Sequence, residues 1–149
     1  MDAIDHRLID LLRENARSSY AELARLVGLS APAVHERIGK LEAAGTIRAY
    51  RAEIDHEAVG LGVTALIGNV EDSGADTDDV LAAVRAMPEV ESCYFMAGVE
   101  SYQLIVRVGT IAELEQLIVR MNRTRGVAST RTAIALSTKW ENRPQPGLG

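Results

Sequence analysis

Residues 19–45 read Ser-Tyr-Ala-Glu-Leu-Ala-Arg-Leu-Val-Gly-Leu-Ser-Ala-Pro-Ala-Val-His-Glu-Arg-Ile-Gly-Lys-Leu-Glu-Ala-Ala-Gly. Ser19, followed three residues later by Glu22, is a capping-box pattern and opens a short helix. Leu23, Leu26 and Val27 give that helix an apolar stripe, and Gly28 supplies the tight turn that ends it. Leu29 is placed to plug the space between the helices. Ser30 caps the next helix, and Pro32 sits in its first turn, where a missing N–H costs nothing. Val34, Ile38 and Leu41 then recur at i, i+4 and i+7, and Gly45 marks the stop. Two helices joined by a short glycine turn form the helix-turn-helix unit, whose second helix enters the major groove of DNA.

Upstream, Ile4, Leu8, Leu11 and Leu12 predict a first helix over Asp5–Asn15. Downstream, Thr46–Ile54 alternates and is β-prone, which predicts an extended strand of a winged module. Asp55–Gly62, with Gly60 and Gly62, reads as a linker. Strand-like Val63–Val70 precedes a polar loop and a helix over Thr77–Met87, ended by Pro88. Strands over Val90–Ala97 and Ser101–Val108 flank a turn at Gly98-Val99-Glu100. A helix over Ile111–Asn122, with Ile111, Leu114, Leu117, Ile118 and Met121 on one side, leads to a last strand over Val127–Thr138. The order β-α-β-β-α-β is ferredoxin-like. In the Ser101–Val108 strand Tyr102, Leu104, Val106 and Val108 take one face and Gln103, Ile105 and Arg107 the other. Ile105 is unexpected on a wetted face, which predicts contact with another copy of the chain.

The fold class expected is therefore α+β. A helix-turn-helix domain with its following strand occupies 1–54, a linker 55–62, a βαββαβ domain 63–138 and a tail 139–149. Disorder is expected for Asn142–Gly149, with Pro144, Pro146 and two glycines.

The 149 residues are 47% hydrophobic and 25% charged, an ordinary globular composition, but only 4% aromatic, so the cores must be aliphatic. No apolar run is long enough to span a membrane and no leader pattern is visible. The single Cys93 cannot close an internal disulfide, which fits a cytoplasmic chain, and reads as a small buried strand residue. The net charge of −5 is unevenly spread: residues 1–54 hold 8 Lys+Arg and 8 Asp+Glu, residues 55–149 hold 8 and 13. A neutral DNA-reading module works if its bases share one face. His6, His35 and His56 have no zinc-ligand spacing, and neither a nucleophile elbow nor a P-loop occurs. No metal, cofactor or enzymatic activity is expected.

At 100° per residue, the side opposite Val34, Ile38 and Leu41 presents Pro32, His35, Glu36, Gly39, Lys40 and Ala43. The free N–H groups of Ser30, Ala31, Pro32 and Ala33 form a positive helix end, less the one proline lacks, and suit phosphate. Lys40 can meet phosphate or guanine, His35 a base or phosphate, and Glu36 a cytosine amino group. Arg17 and Ser19 at the start of the second helix, and Arg48 and Arg51 after the third, are further phosphate candidates. Alone, this face reads equally as solvated; with the preceding helix, turn and cap it reads as a DNA face. Arg37 flanks the core stripe and fits an ion pair, with Glu22 as the partner considered, at least as well as a DNA contact.

The chain resembles the Lrp/AsnC, or feast/famine, family of regulators over nearly its whole length. The resemblance is carried by Asp5-His-Arg-Leu-Ile-Asp-Leu-Leu, by Ala21-Glu-Leu-Ala-Arg-Leu-Val-Gly-Leu-Ser and by Val34-His-Glu-Arg-Ile-Gly-Lys-Leu-Glu-Ala-Ala-Gly-Thr-Ile-Arg-Ala-Tyr. In the second half it is carried by Val90-Glu-Ser-Cys-Tyr-Phe-Met-Ala-Gly-Val-Glu-Ser-Tyr and Gly126-Val-Ala-Ser-Thr-Arg-Thr. It implies a bacterial or archaeal transcription regulator that binds double-stranded DNA. The βαββαβ domain would be of the RAM type and assemble dimers into tetramers or octamers. An amino acid or related metabolite would bind between the second domains of neighbouring dimers.

The implied effector site centres on Gly98, Val99, Glu100, Ser101 and Tyr102, with Met96, Ile111, Thr132, Ala133, Ile134 and Ala135 lining or neighbouring it. The family pattern is commonly Gly-x-x-Asp-Tyr, so Ser101 departs from it, and the ammonium contact is lost unless Glu100 replaces it, which leaves open whether Ser101 or Glu100 contacts the ligand. Two alternatives stand beside this reading. One is a nucleoid-type architectural protein that needs no effector. The other is an enzyme like the sirohaem decarboxylases, which resemble the family, although residues 63–138 contain no histidine.

Overall fold

The computed structural model describes residues 1–145 and 147. These form two compact units, Met1–Glu53 with the described residues from Trp140 onward, and Ile54–Lys139.

The first unit holds three helices, α1 (Ala3–Glu14), α2 (Tyr20–Val27) and α3 (Ala31–Ala43). α1 starts two residues earlier than its apolar periodicity indicates, because Asp2 and Asp5 form a reciprocal capping box, each carboxylate accepting the other's backbone N–H at 2.9 Å. Ser19 Oγ accepts the Glu22 N–H and Ser30 Oγ the Ala33 N–H, as the capping pattern requires. Gly28 turns the chain at φ 71°, and Leu29 packs on the core. That core joins Leu8 and Leu11 of α1, Leu23 and Ala24 of α2, and Val34 and Ile38 of α3. Leu26, expected inside, is 44% exposed; Ala24 takes the buried position because it lies beside Leu23 on the inner arc. α3 ends in a Schellman pair, with Gly45 N–H on the Glu42 carbonyl and Thr46 N–H on the Leu41 carbonyl.

The strand expected over 46–54 is absent, and with it the wing. Residues 48–55 have no regular structure. The alternation encodes an extended chain, but a ladder needs a partner strand, and the first unit offers none among its described residues. Tyr50 instead anchors the segment, donating its hydroxyl to Glu42 Oε1 at 2.7 Å. Burial, followed by that anionic acceptor, pushes the phenol's pKa up to about 12.

The second unit runs β1 (Val63–Glu71), α4 (Thr77–Arg85), β2 (Val90–Phe95), β3 (Tyr102–Val108), α5 (Ile111–Arg123) and β4 (Val127–Ala135). The sheet order is β2-β3-β1-β4 and every pairing is antiparallel, the ferredoxin-like arrangement. Ala65, Ile67, Leu104, Val106 and Val108 pack from the sheet against Val80, Val84, Leu114, Leu117 and Met121 of the helices. Thr64, Leu66 and Gly68, which alternate with this set, belong to the face without helices, opposite Arg107, Ile105 and Gln103.

Cys93 and Ile111 depart from expectation. Both are exposed. Cys93 pairs with Leu104 on the helix side, but β2 is one of the two edge strands, and Phe95 on it is also 77% exposed. Ile111 is the first residue of α5, one turn before the buried stripe settles at Leu114. The described tail residues, 139–145 and 147, form neither helix nor strand. The disorder expected over 142–149 extends to Pro146, Leu148 and Gly149, which lie outside the described residues.

Candidate functional site

α3 carries its core residues on one side, with Val34, Ile38 and Leu41 at most 5% exposed. The other side presents Pro32, His35, Glu36, Gly39 and Lys40, all exposed. Ser30 and Ser19 are exposed at their helix starts and Ala31 is half-buried. A Cβ built on Gly39 meets nothing within 4 Å, so no packing within the chain explains a glycine in mid-helix. The His35 ring stands edge-on to Tyr20, with centroids 4.9 Å apart. Tyr20, the first residue of α2, was not singled out in the sequence; only its place beside the Ser19 cap hinted at it.

The charged groups of α3 are paired within the first unit. Lys40 Nζ lies 2.7 Å from Glu36 Oε1, and this hydrogen bond holds the Glu36 carboxyl below its ordinary pKa. Arg37 Nη1 bridges Asp2 Oδ2 at 2.8 Å and Asp5 Oδ1 at 2.7 Å. The ion-pair reading of Arg37 thus holds, with Asp2 and Asp5 as partners instead of Glu22. Both aspartates titrate below the ordinary value, first because each accepts a capping N–H and second because of Arg37. Arg17 is exposed at the α1–α2 turn, its N–H on Asn15 Oδ1. Arg48 shares an open groove of about 610 Å³ with Arg13 and Arg51.

In the second unit the expected effector residues divide between the two faces of the sheet. Glu100 lies across Gly68 and accepts from Arg131 Nη1 at 3.2 Å. A Cβ on Gly68 would come within 2.5 Å of Glu100 Cγ, so the glycine makes this crossing possible. Leu66, Gln103, Thr132 and Ala133 complete a shallow recess of about 350 Å³ around the pair. Ala135 lies on the same face, opposite Thr64. A carboxylate and a guanidinium side by side are complementary to a zwitterion.

Ser101 does not face this recess with a free hydroxyl. Its Oγ accepts the Glu71 N–H, its N–H donates to the Asn69 carbonyl, and its carbonyl accepts the Met96 N–H. It ties the turn to β1. Tyr102, expected to offer its ring or hydroxyl to a ligand, is 1% exposed, with its ring on Phe95. Its register opposite Asn69 turns it to the helix side, and burial raises its pKa. Met96, Val99, Ile111 and Ile134 are exposed but outside the recess, and Gly98 is exposed in the turn between β2 and β3. Arg131 and Gly68 were missed in the sequence; the only signal was a charge and a glycine in strands of otherwise small or apolar residues.

Residues 1–42 match the AsnC-type helix-turn-helix domain, and residues 64–145 match the Lrp/AsnC ligand binding domain. The chain is 39% identical to the HTH-type transcriptional regulator LrpA of Mycobacterium tuberculosis, over 96% of this chain and 95% of that one. It is 31% identical to the regulatory protein AsnC of Escherichia coli, over 91% and 90%. Among solved structures it is similar to a feast or famine regulatory protein from M. tuberculosis complexed with L-methionine, with a TM-score of 0.91, 39% identity and 97% coverage of both chains. These relatives bear the names of regulators, not of enzymes. Among the described residues no helix is long and apolar enough to cross a membrane.

Proposed function

The chain belongs to the Lrp/AsnC family of transcriptional regulators, and on that premise we propose that it is a sequence-specific, cytoplasmic DNA-binding regulator whose oligomer responds to an amino acid or related metabolite. The observation that carries the DNA reading is the outer face of α3, where His35, Glu36, Gly39 and Lys40 stand clear of a fully packed inner stripe. The first unit, residues 1–54, does the reading, 55–62 link it, and 63–138 bind effector and partner copies. Lys40 and His35 meet the major groove, and Glu36 is placed for a cytosine amino group. Ser30, Ala31 and Pro32 offer a helix N-terminus to phosphate, with Arg17, Ser19 and Arg48 as backbone contacts.

The effector sits where second units of neighbouring copies meet. Glu100 faces the ammonium group and Arg131 the carboxylate, each leaving the other for the ligand. Thr132, Ala133 and Ala135 border the recess. Met96, Gly98, Val99, Ile111 and Ile134, outside it in one chain, are available to a copy's ligand, while Ser101 and Tyr102 shape the turn. The L-methionine bound in the relative makes methionine the first probe. A ligand that shifts the assembly must bind one state better than the other.

Electrophoretic shift on the chain's own promoter, with random duplex as competitor and with or without amino acids, tests both halves. Preference for the promoter and a change with at least one amino acid are expected. Equal affinity for random duplex removes the sequence-specific reading. Calorimetry showing no heat with any of the twenty amino acids leaves an architectural protein.

A further inference from the structure

Arg37 lies between Glu36 and Lys40 in sequence, on the helix that reads DNA in the function proposed above, and this inference rests on that reading. An arginine there is the obvious phosphate ligand. Its surroundings give it other work. Asp2 and Asp5 are held in place by the capping hydrogen bonds they exchange, and their carboxylates converge on one nitrogen of Arg37, Nη1, at 2.8 and 2.7 Å. The Arg37 side chain is 31% exposed, that of Asp5 16% and that of Asp2 54%.

We propose that Arg37 is a positioning residue: by bridging Asp2 and Asp5 it sets the rotation of α3 on α1, and so which side chains of α3 face a duplex. Leu8 and Leu11 of α1 and Val34 and Ile38 of α3 belong to one aliphatic core. Apolar burial holds the helices together but is non-directional. A small rotation about the α3 axis redirects His35, Gly39 and Lys40 together, since each residue is fixed at 100° from the next. The bridge, at a position flanking the apolar stripe, resists that rotation.

The full chain and its Arg37→Gln, Arg37→Lys, Asp5→Asn and Arg37→Gln/Asp5→Asn variants are titrated with promoter duplex and random duplex over a salt series, after thermal unfolding confirms that each is folded. Arg37→Gln removes both arms of the bridge and is expected to weaken promoter binding by about tenfold, while Asp5→Asn keeps the Asp2 arm and should weaken it less. The double variant should be no weaker than Arg37→Gln alone, since that change already removes both arms. The slope of log affinity against log salt should stay at the parental value. Arg37→Lys should rescue only in part, because an ammonium lacks the planar fork. The assignment is overturned if Arg37→Gln lowers that slope by about one while Asp5→Asn leaves binding unchanged or tighter, the mark of a lost phosphate contact. It is overturned equally if Arg37→Gln binds like the parent. A parental chain with no preference for promoter over random duplex defeats the DNA reading itself, and this assignment with it. If Asp5→Asn is too unstable to titrate, Asp2→Asn takes its place; if Arg37→Gln is, Arg37→Ala is read for the same outcomes.

Discussion

Glu36 and Lys40 hold one another at 2.7 Å across one turn of the exposed face of α3. Any duplex that takes Lys40 must take it from Glu36, and must also accept the carboxylate left behind. A phosphate repels that carboxylate, whereas a cytosine amino group hydrogen-bonds it. In the function proposed above, the pair therefore penalises random sequence. Glu36→Gln should raise affinity for random duplex and steepen its salt slope by up to about one, as a newly freed Lys40 meets phosphate. Preference for the promoter should shrink. Filter binding with both duplexes reads this directly, and unchanged random binding would make the pair a solvated surface contact.

Gly39 sets stability against binding. The open space around its absent Cβ means that Gly39→Ala introduces no clash, and alanine improves an exposed helix interior by about 0.5–1 kcal/mol. Thermal unfolding should therefore rise by a few degrees. Promoter affinity should fall, because the added methyl sits on the face proposed to approach the bases. A more stable variant with parental affinity would remove Gly39 from the interface.

Acid should loosen the first unit through Asp2 and Asp5. Both have folded-state pKa values below the unfolded value, about 3.9. Their contribution is therefore fully present above that pH and is lost as pH falls through the depressed folded values. Unfolding temperature followed from pH 6 to pH 2 should drop below about pH 4. Asp5→Asn should flatten part of that drop, since its amide does not titrate. An identical acid profile in the variant would mean that the bridge adds nothing to stability.

Local punctuation was legible in the sequence, and contacts across the fold were not. Ser30, Pro32 and Gly28 marked the helix ends because capping and turn chemistry act within a few residues. The alternation of Tyr102–Val108 gave both faces of β3, since the strand period is local too. Arg37 shows where this stops. Its partners lie 32 and 35 residues away, and no periodicity in the helix distinguishes them from Glu22. Cys93 looked buried because it sits in an apolar strand; only the strand order puts it on an edge. Tyr102 carried a binding signature in sequence, but its register opposite Asn69 turns it inward. The Glu100–Arg131 pair depends on a second register, that of β1 with β4, which brings Arg131 opposite Gly68.

That pair yields the sharpest test of the effector half. Glu100 reaches Arg131 only because Gly68 has no side chain, so Gly68→Ala must push Glu100 aside without touching the first unit. Glu100→Gln keeps the shape and removes the charge. Calorimetry with L-methionine should show binding weakened about tenfold or more in both, as a charged hydrogen bond contributes about 1.5–3 kcal/mol. Arg131→Gln should do the same through the ligand carboxylate. Promoter affinity without ligand should stay at the parental value in all three, because these residues belong to the second unit. If Glu100→Gln and Arg131→Gln both bind methionine like the parent, the recess is not the effector site. If Gly68→Ala alone fails while those two bind normally, the glycine serves packing instead of recognition.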